Sequence, residues 1–272
     1  MTEGKERPAE TREMKSKRVE VIEFAGPYTQ QDAWGTREFE TAYRKVVVIV
    51  VADGHAPKGD KASKAAVDEL LKVDNPDEVQ GAFTNAHERV VKAAPEAGTT
   101  ATLVLIREGD LLVAYVGDCE VRLAKQDGHL STLTIPHQYG VHSGETTRLY
   151  NAGAYIDSGT KGLDNPVAKG RIAIDGQTLE PSRVLGDVDF EPYVSHEPEI
   201  IETELTGDDK YALVGSDGFW KIVSGNSKKR KKIQKALAES RSASEAKEKI
   251  EQMLARWKLF DNTTLVIVEL NK

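Results

Sequence analysis

KVVVIVVADGH, residues 45–55, is the stretch that decides the fold. Val46–Val51 form an unbroken run of β-branched residues, which predicts a strand buried on both faces. Asp53, Gly54 and His55 close the stretch at the end of that rigid element. Asp-Gly is a common turn dipeptide, so this ending taken alone predicts an ordinary turn. A carboxylate and an imidazole in that place could also bind a metal ion and move protons, and the rest of the chain has to decide.

The bulk composition limits the function classes. With 272 residues and 39% apolar content, the chain can form one large domain with a core, and its net charge of −7 argues against a general nucleic-acid binder. Cys119 is the only cysteine, so neither an internal disulfide nor a thiolate metal cluster can form. No apolar run approaches the length of a membrane span or resembles a signal peptide. We therefore expect a soluble cytoplasmic monomer that binds neither membranes nor nucleic acids.

The order of the segments predicts one domain with a tail. Residues 1–18 are mostly charged and without period, which predicts a flexible tail, and residues 19–272 form a single domain. Apolar stripes at helical spacing predict two pairs of helices, within 61–94 and 229–257. Residues 157–181 are rich in Gly, Pro and Asp and predict a surface flap.

The remaining segments predict strands in meanders. Apolar runs separated by turn dipeptides follow one another between the two helix pairs, an α+β pattern in which sheets are sandwiched between helix layers. Residues 211–216 predict a strand that ends at Asp217 and Gly218. The cationic run Lys228–Lys232 is typical of either an anion-binding patch or the solvated face of a helix, and we favour the solvated face.

Four aspartates share one local setting. Asp53, Asp118 and Asp217 each end an apolar strand and adjoin a glycine, and Asp261 precedes the last strand. Carboxylates gathered at the ends of buried strands repel one another unless a divalent cation neutralises them. A ligand set made only of oxygen atoms favours Mg²⁺ or Mn²⁺ over zinc. Two such ions can activate a water molecule and hold a phosphoryl group for in-line attack.

An ordered series of short motifs then resembles a known family, the type-2C metal-dependent protein serine/threonine phosphatases. The resemblance covers residues 29–270, and each motif is weak alone. In chain order the motifs are QQDA, VVADGH, GTTA, VGD, a segment with Leu133, Thr134, His137, Glu145 and Arg148, then SRVLGD, SDGFW and DNTT. The resemblance implies a central β-sandwich of two antiparallel sheets, flanked by pairs of helices in four α-β-β-α layers, with a flap.

The resemblance also implies roles for individual residues. It implies two ions, Mn²⁺ or Mg²⁺, with Asp53 bridging them, and a bridging water as the nucleophile. His55 is implied to be the general acid for the leaving alkoxide. The other implied metal-site residues are Asp217 and Asp261 at the first ion, the Gly54 carbonyl and Asp32 at the second, and Asp118 at a third site.

Two departures from the family pattern leave the function open between two hypotheses. Pro27 stands near the place of a phosphate-gripping arginine, and Lys221 replaces an aspartate that helps to bind a third metal. A lysine there could fill the third site with its own cation. The leading hypothesis is a phosphatase acting on phosphoserine or phosphothreonine in a protein substrate. The alternative is a pseudophosphatase that binds or regulates a partner such as a kinase.

Overall fold

The fold was analysed in a computed structural model, which describes residues 19–27, 29–40, 45–157 and 170–270. The predicted tail, residues 1–18, lies outside the described residues, as do residues 158–169 of the predicted flap. The described chain is α+β, with two antiparallel sheets packed face to face and helices on both outer faces. The predicted four-layer sandwich is therefore confirmed.

Fifteen strands and six helices make up the described chain. The strands are β1 (Val19–Phe24), β2 (Asp32–Glu40), β3 (Lys45–His55), β4 (Gly98–Thr99), β5 (Ala101–Arg107), β6 (Asp110–Val116), β7 (Glu120–Lys125), β8 (Leu130–Thr132), β9 (Ile156–Asp157), β10 (Arg171–Ile174), β11 (Gln177–Leu179), β12 (Leu185–Gly186), β13 (Glu199–Glu204), β14 (Asp209–Gly215) and β15 (Thr263–Glu269). The helices are α1 (Gly59–Leu70), α2 (Val79–Ala93), α3 (Ser143–Asn151), α4 (Asp217–Gly225), α5 (Ser227–Glu239) and α6 (Ala243–Leu254).

The two large sheets form the sandwich. The first sheet has the order β12-β4-β3-β5-β6-β13, with β2 also paired to β3. The second has the order β1-β15-β14-β7-β8. A small third sheet, β11-β10-β9, lies apart from both. None of the helices in the described residues is long and apolar enough to cross a bilayer.

Strand β3 is buried on both faces, as its apolar run predicts. Because side chains alternate along a strand, Val46, Val48 and Val50 pack under the layer of α1 and α2. Val47, Ile49 and Val51 point the other way and fill the space between the two sheets. The apolar run is continuous because both faces of the strand are packed in apolar clusters. Packing on both faces holds the strand rigidly, so its last residues are fixed at one edge of the sandwich.

The two predicted helix pairs form the outer layers. The first corresponds to α1 and α2, which pack on the first sheet through residues such as Leu70 and Phe83. The second corresponds to α5 and α6, which pack on the second sheet through residues such as Leu237 and Ile250. The helical spacing of the apolar residues therefore located both layers.

Two other predictions need comment. The strand predicted over 211–216 corresponds to β14, and Asp217 begins α4, a helix that the sequence does not predict and whose Phe219 and Trp220 are buried on the second sheet. Residues 170–181 of the predicted flap contain β10 and β11, whose Ile172 and Leu179 belong to a small apolar cluster. The role of this region as a flap stays a prediction.

Candidate metal centre

The predicted acidic residues meet at one edge of the sandwich. Asp53, Asp118, Asp217 and Asp261 line one cavity of about 430 Å³, together with Gly54 and His55. They come from β3, from the loop after β6, from the start of α4 and from the loop before β15. Four segments that are distant in sequence therefore deliver carboxylates to one space.

Asp32 lies beside this cavity and not in its lining. In the β2–β3 pairing it stands directly opposite Asp53. Its Oδ2 accepts a hydrogen bond from Ser216 Oγ at 2.8 Å, and Ser216 is the residue before Asp217. The side chain is buried, with 6% of its surface exposed. Asp32 is thus held between the strand that carries Asp53 and the helix that carries Asp217.

Short contacts between the motif segments hold these residues in place. Asp53 is fixed through its backbone, because its carbonyl accepts from Thr100 N at 2.9 Å and its N–H donates to Thr100 Oγ1 at 3.2 Å. Gly218 lets Asp217 and Asp261 approach each other, since a Cβ at Gly218 would lie 1.9 Å from the carbonyl oxygen of Asn262. The glycine of the SDG motif is therefore required by packing against the DN motif.

The carboxylates repel one another. Burial, followed by the charges of Asp32 and Asp217, raises the pKa of Asp53 well above its usual value. Burial is also the largest cause that raises the pKa of Asp118 to about 7 and that of Asp32 to about 6. Without a counter-charge, the cluster resists holding all of its negative charges at neutral pH.

The residues fit a site for divalent cations. Asp32 Oδ1 and Asp217 Oδ1 are buried and have no hydrogen-bond partner, which is costly unless a cation contacts them. The aspartates that converge offer carboxylate oxygens, the donors that suit Mg²⁺ and Mn²⁺. Both the orphaned oxygens and the mutual repulsion would be relieved by the same ions.

A match to a known family model identifies the family of this chain. The family model described as Protein phosphatase 2C matches residues 29–258, which is most of the chain. The chain belongs to the protein phosphatase 2C family. The resemblance inferred from the motifs is therefore confirmed.

Relatives in the phosphatase 2C family show how far the likeness extends. Probable protein phosphatase 2C 74 from Oryza sativa subsp. japonica is 24% identical over 226 residues, covering 83% of this chain and 52% of that protein. Protein phosphatase 1F from Homo sapiens is 32% identical over 187 residues, covering 64% of this chain and 38% of that protein. The chain thus spans about half or less of the length of these two relatives. The structure of serine/threonine phosphatase Stp1 from Staphylococcus aureus superposes with a TM-score of 0.65 at 16% identity over 100% of both chains, which shows a shared fold.

Lys221 stands where the resemblance to the family implies an aspartate. Its Nζ forms an ion pair with Asp217 Oδ2, one helical turn earlier in α4. Burial lowers the pKa of Lys221, but the charge of Asp217, a hydrogen bond to it and the charge of Asp118 together raise it above the usual value. The ammonium group therefore stays charged and places a fixed cation beside these two carboxylates.

His55 has a partner that the sequence reasoning did not assign. Its Nε2 forms a short hydrogen bond with Asp187 Oδ2, from the SRVLGD motif. Gly98 makes room for this pair, because a Cβ there would lie 2.1 Å from Asp187 Oδ2 and 2.9 Å from His55 Nε2. Asp187 has a left-handed backbone, with φ of 50°. The motif quoted Asp187, but only the fold shows that it orients His55.

A second polar cluster brings His137, His142 and Glu199 together, with possible ligand atoms within 4.8 Å of one another. Both imidazoles accept a backbone N–H at Nδ1, which leaves Nε2 of each ring as the donor. The two Nε2 atoms donate to Glu199 Oε2, at 3.3 Å from His137 and 3.1 Å from His142. Burial lowers the pKa of His137 to about 4, which keeps that ring neutral. The cluster is satisfied by its own hydrogen bonds, and the carboxylate cavity is the better fit for metal ions.

The cavity wall also contains two cationic side chains, Arg171 and Lys221. Arg171 Nη1 lies 3.2 Å from Glu180 Oε2, and its Nε donates to Thr178 Oγ1 at 3.0 Å. Pro27, near the expected position of a phosphate-gripping arginine, is exposed and does not line the cavity. Positive charge therefore reaches this cavity from the β10 side and from α4.

Proposed function

We propose that this chain is a metal-dependent protein phosphatase that hydrolyses phosphoserine and phosphothreonine in a protein substrate. The observation that carries the proposal is the convergence of Asp53, Asp217 and Asp261 on one cavity, with a buried orphaned oxygen on Asp217. Membership of the phosphatase 2C family supports the same reaction.

The carboxylates would hold the ions. Asp53, Asp217 and Asp261 would hold a first ion, and Asp53, Asp32 and the Gly54 carbonyl would hold a second. Divalent cations bound there supply a water of lowered pKa and neutralise the phosphoryl oxygens. The rigid ends of β3 and α4 fix the ligands before substrate binds, which lowers the cost of organising the site.

His55 and Arg171 would act on the substrate itself. His55 would protonate the alkoxide that leaves from the phosphorylated residue, and Asp187 would hold the imidazole ring for this proton transfer. Arg171 lines the cavity without contacting a predicted metal ligand in the described residues, so its guanidinium would contact phosphoryl oxygens in place of the arginine missing near Pro27.

Turnover of para-nitrophenyl phosphate and of a phosphothreonine peptide tests the proposal, with Mn²⁺ or Mg²⁺ present. The control is Asp53→Asn, which keeps the shape of the side chain and removes its charge. We expect wild-type turnover to exceed that of the control by at least about 100-fold, because the variant loses the bridging carboxylate. Turnover no greater than that of the control would contradict the enzyme proposal and favour the pseudophosphatase.

A further inference from the structure

Seven cations at one end of the second helix layer have no acidic partner. We call them the basic patch, and they are Lys228, Lys229, Arg230, Lys231, Lys232, Arg256 and Lys258. Among the described residues, none of them forms an ion pair. The patch residues on α5 lie close to those that follow α6, because Lys229 Nζ is 4.9 Å from the centre of the ring of Trp257, which stands between Arg256 and Lys258. This concentration of unpaired positive charge occurs in a chain whose net charge is −7.

The position of the patch is unfavourable for helix α5. The first turn of a helix is the positive end of its dipole and favours acidic residues. The first turn of α5 contains Lys228, Lys229 and Arg230 after Ser227 and no acidic residue, and the last turn contains no basic residue. Cations on a solvated helix face could be placed anywhere along the helix. Their concentration at the N-terminal end, where the helix dipole disfavours positive charge, needs another explanation. Local rules are commonly broken where a function requires it.

A groove leads from the metal centre along α4 as far as Gly225, three residues before Lys228, the first residue of the patch. It has a volume of about 310 Å³, and its walls include Asp118, Glu120, Asp217, Trp220, Lys221, Ser224 and Gly225. It starts at carboxylates of the metal centre and follows α4 to its last residue, Gly225. Asn226 comes next and caps α5 by accepting the backbone N–H groups of Lys228 and Lys229.

The length of α4 sets the distance between the metal centre and the start of the basic patch. Nine helical residues at 1.5 Å each span roughly 12 Å between first and last, which is about four residues of extended peptide. A peptide whose phosphorylated residue sits at the metal centre would reach the start of the basic patch about four residues away. Its next few residues would then lie against the patch.

We propose that the groove and the basic patch bind an acidic segment of the phosphoprotein substrate, about four to eight residues from the phosphorylated residue. This inference rests on the proposed phosphatase function. Charge complementarity selects the occupant, since uncompensated cations attract carboxylates. The continuity of the groove with the metal centre favours a substrate segment over a lipid surface or a nucleic acid, because neither of these would use that path.

Paired phosphothreonine peptides test the proposal. Four glutamates, or four glutamines in the matched peptide, are placed five to eight residues from the phosphothreonine, on the N-terminal side in one pair and on the C-terminal side in another. We expect kcat/KM with Mn²⁺ to favour the glutamate peptide of one pair by about 10-fold, mostly through KM, since several exposed ion pairs contribute modestly each. The preference should fall towards 1 in about 0.5 M salt.

Neutralising the patch provides the decisive variant. In Lys228→Gln/Lys231→Gln/Lys232→Gln the preference for glutamate should disappear, and relief of the unfavourable helix charges should keep the protein folded. The matched control removes the same charge from the opposite helix layer, by glutamine at Lys61, Lys64 and Lys92 on α1 and α2, and should keep the preference.

The outcomes separate the patch from the catalytic proposal. Turnover of both peptides without discrimination, or discrimination that survives neutralisation of the patch, would overturn the docking proposal while the phosphatase stands. If neither peptide is turned over, peptide binding measured by the fluorescence anisotropy of fluorescein-labelled peptides still tests the docking proposal. Tighter binding of the glutamate peptide by wild type than by the patch variant supports docking, and equal binding overturns it. Loss of affinity for labelled DNA or anionic vesicles in the patch variant, without peptide discrimination in wild type, would also overturn it.

Discussion

Replacing Asp118 by asparagine should stabilise the metal-free protein at neutral pH. The buried carboxyl has a pKa of about 7 in the fold, against 3.8 for the ordinary group. Between these values the folded chain holds a proton that the unfolded chain has released, so the stability contributed by this group falls as pH rises from about 4 to about 7. Three pH units at about 1.4 kcal/mol each give a penalty of about 4 kcal/mol.

Asparagine removes this charge and keeps the shape. Its Oδ1 can still accept the hydrogen bond that Gln138 Nε2 donates to Asp118 Oδ2 at 2.6 Å. Because Asp53 and Asp217 still face each other's charge, we expect a gain of about 2–4 kcal/mol at pH 7.5, and a difference within about 1 kcal/mol at pH 4.5.

Urea unfolding in EDTA, followed by tryptophan fluorescence across this pH range, measures both proteins. Buried Trp220, next to the site on α4, reports the transition. An asparagine variant no more stable than wild type at pH 7.5, or a stability difference between the two proteins that does not grow from pH 4.5 to 7.5, would refute the electrostatic reasoning.

Three further substitutions test the neighbourhood of the centre. Gly98→Ala places a Cβ 2.1 Å from Asp187 Oδ2 and should lower kcat on a phosphopeptide by about 10-fold or more, and an unchanged kcat would contradict the packing argument. Asp187→Asn should lower kcat on a phosphothreonine peptide by about 10-fold and have much less effect on para-nitrophenyl phosphate, whose leaving group needs no proton; equal losses on both substrates would argue against positioning of His55. Lys221→Asp removes the fixed cation from Asp217 and should raise turnover with Mn²⁺ by roughly 3- to 10-fold, and calorimetry should detect an additional ion; an unchanged or lower rate would count against the idea that the lysine replaces a third metal.

The sequence predicts the fold well because its signals are local and strong. An unbroken apolar run such as Val46–Val51 predicts a strand whose two faces are both buried. The alternation of its side chains between two apolar clusters follows from strand geometry. The helix pairs follow in the same way from stripes such as the one containing Leu70 and Phe83. Helix α4 does not follow from the sequence, because burial of its Phe219 and Trp220 depends on the completed sheet.

The candidate site is only partly predictable. The aspartates are recognisable in the sequence because each lies beside a strand end. The ordered motifs resemble a family in which such residues share one site, so the sequence predicts that they meet. The pairing of Asp32 with Asp53 depends on strand register, and that of His55 with Asp187 joins residues 132 positions apart. Such contacts are properties of the assembled fold. The sequence shows Lys221 as a substitution, but its ion pair with Asp217 is visible only in three dimensions.

Isothermal titration with Mn²⁺ tests most directly whether the converging carboxylates form a metal centre. Metal-free wild type should bind two ions per chain, because the proposal gives the carboxylates two ions and Lys221 would occupy a third site with its own cation. The Asp53→Asn variant, which lacks the bridging carboxylate, should lose at least one of them and bind the other more weakly. Wild-type protein that binds no Mn²⁺, or an Asp53→Asn variant that binds the same number of ions with the same affinity, would contradict this assignment.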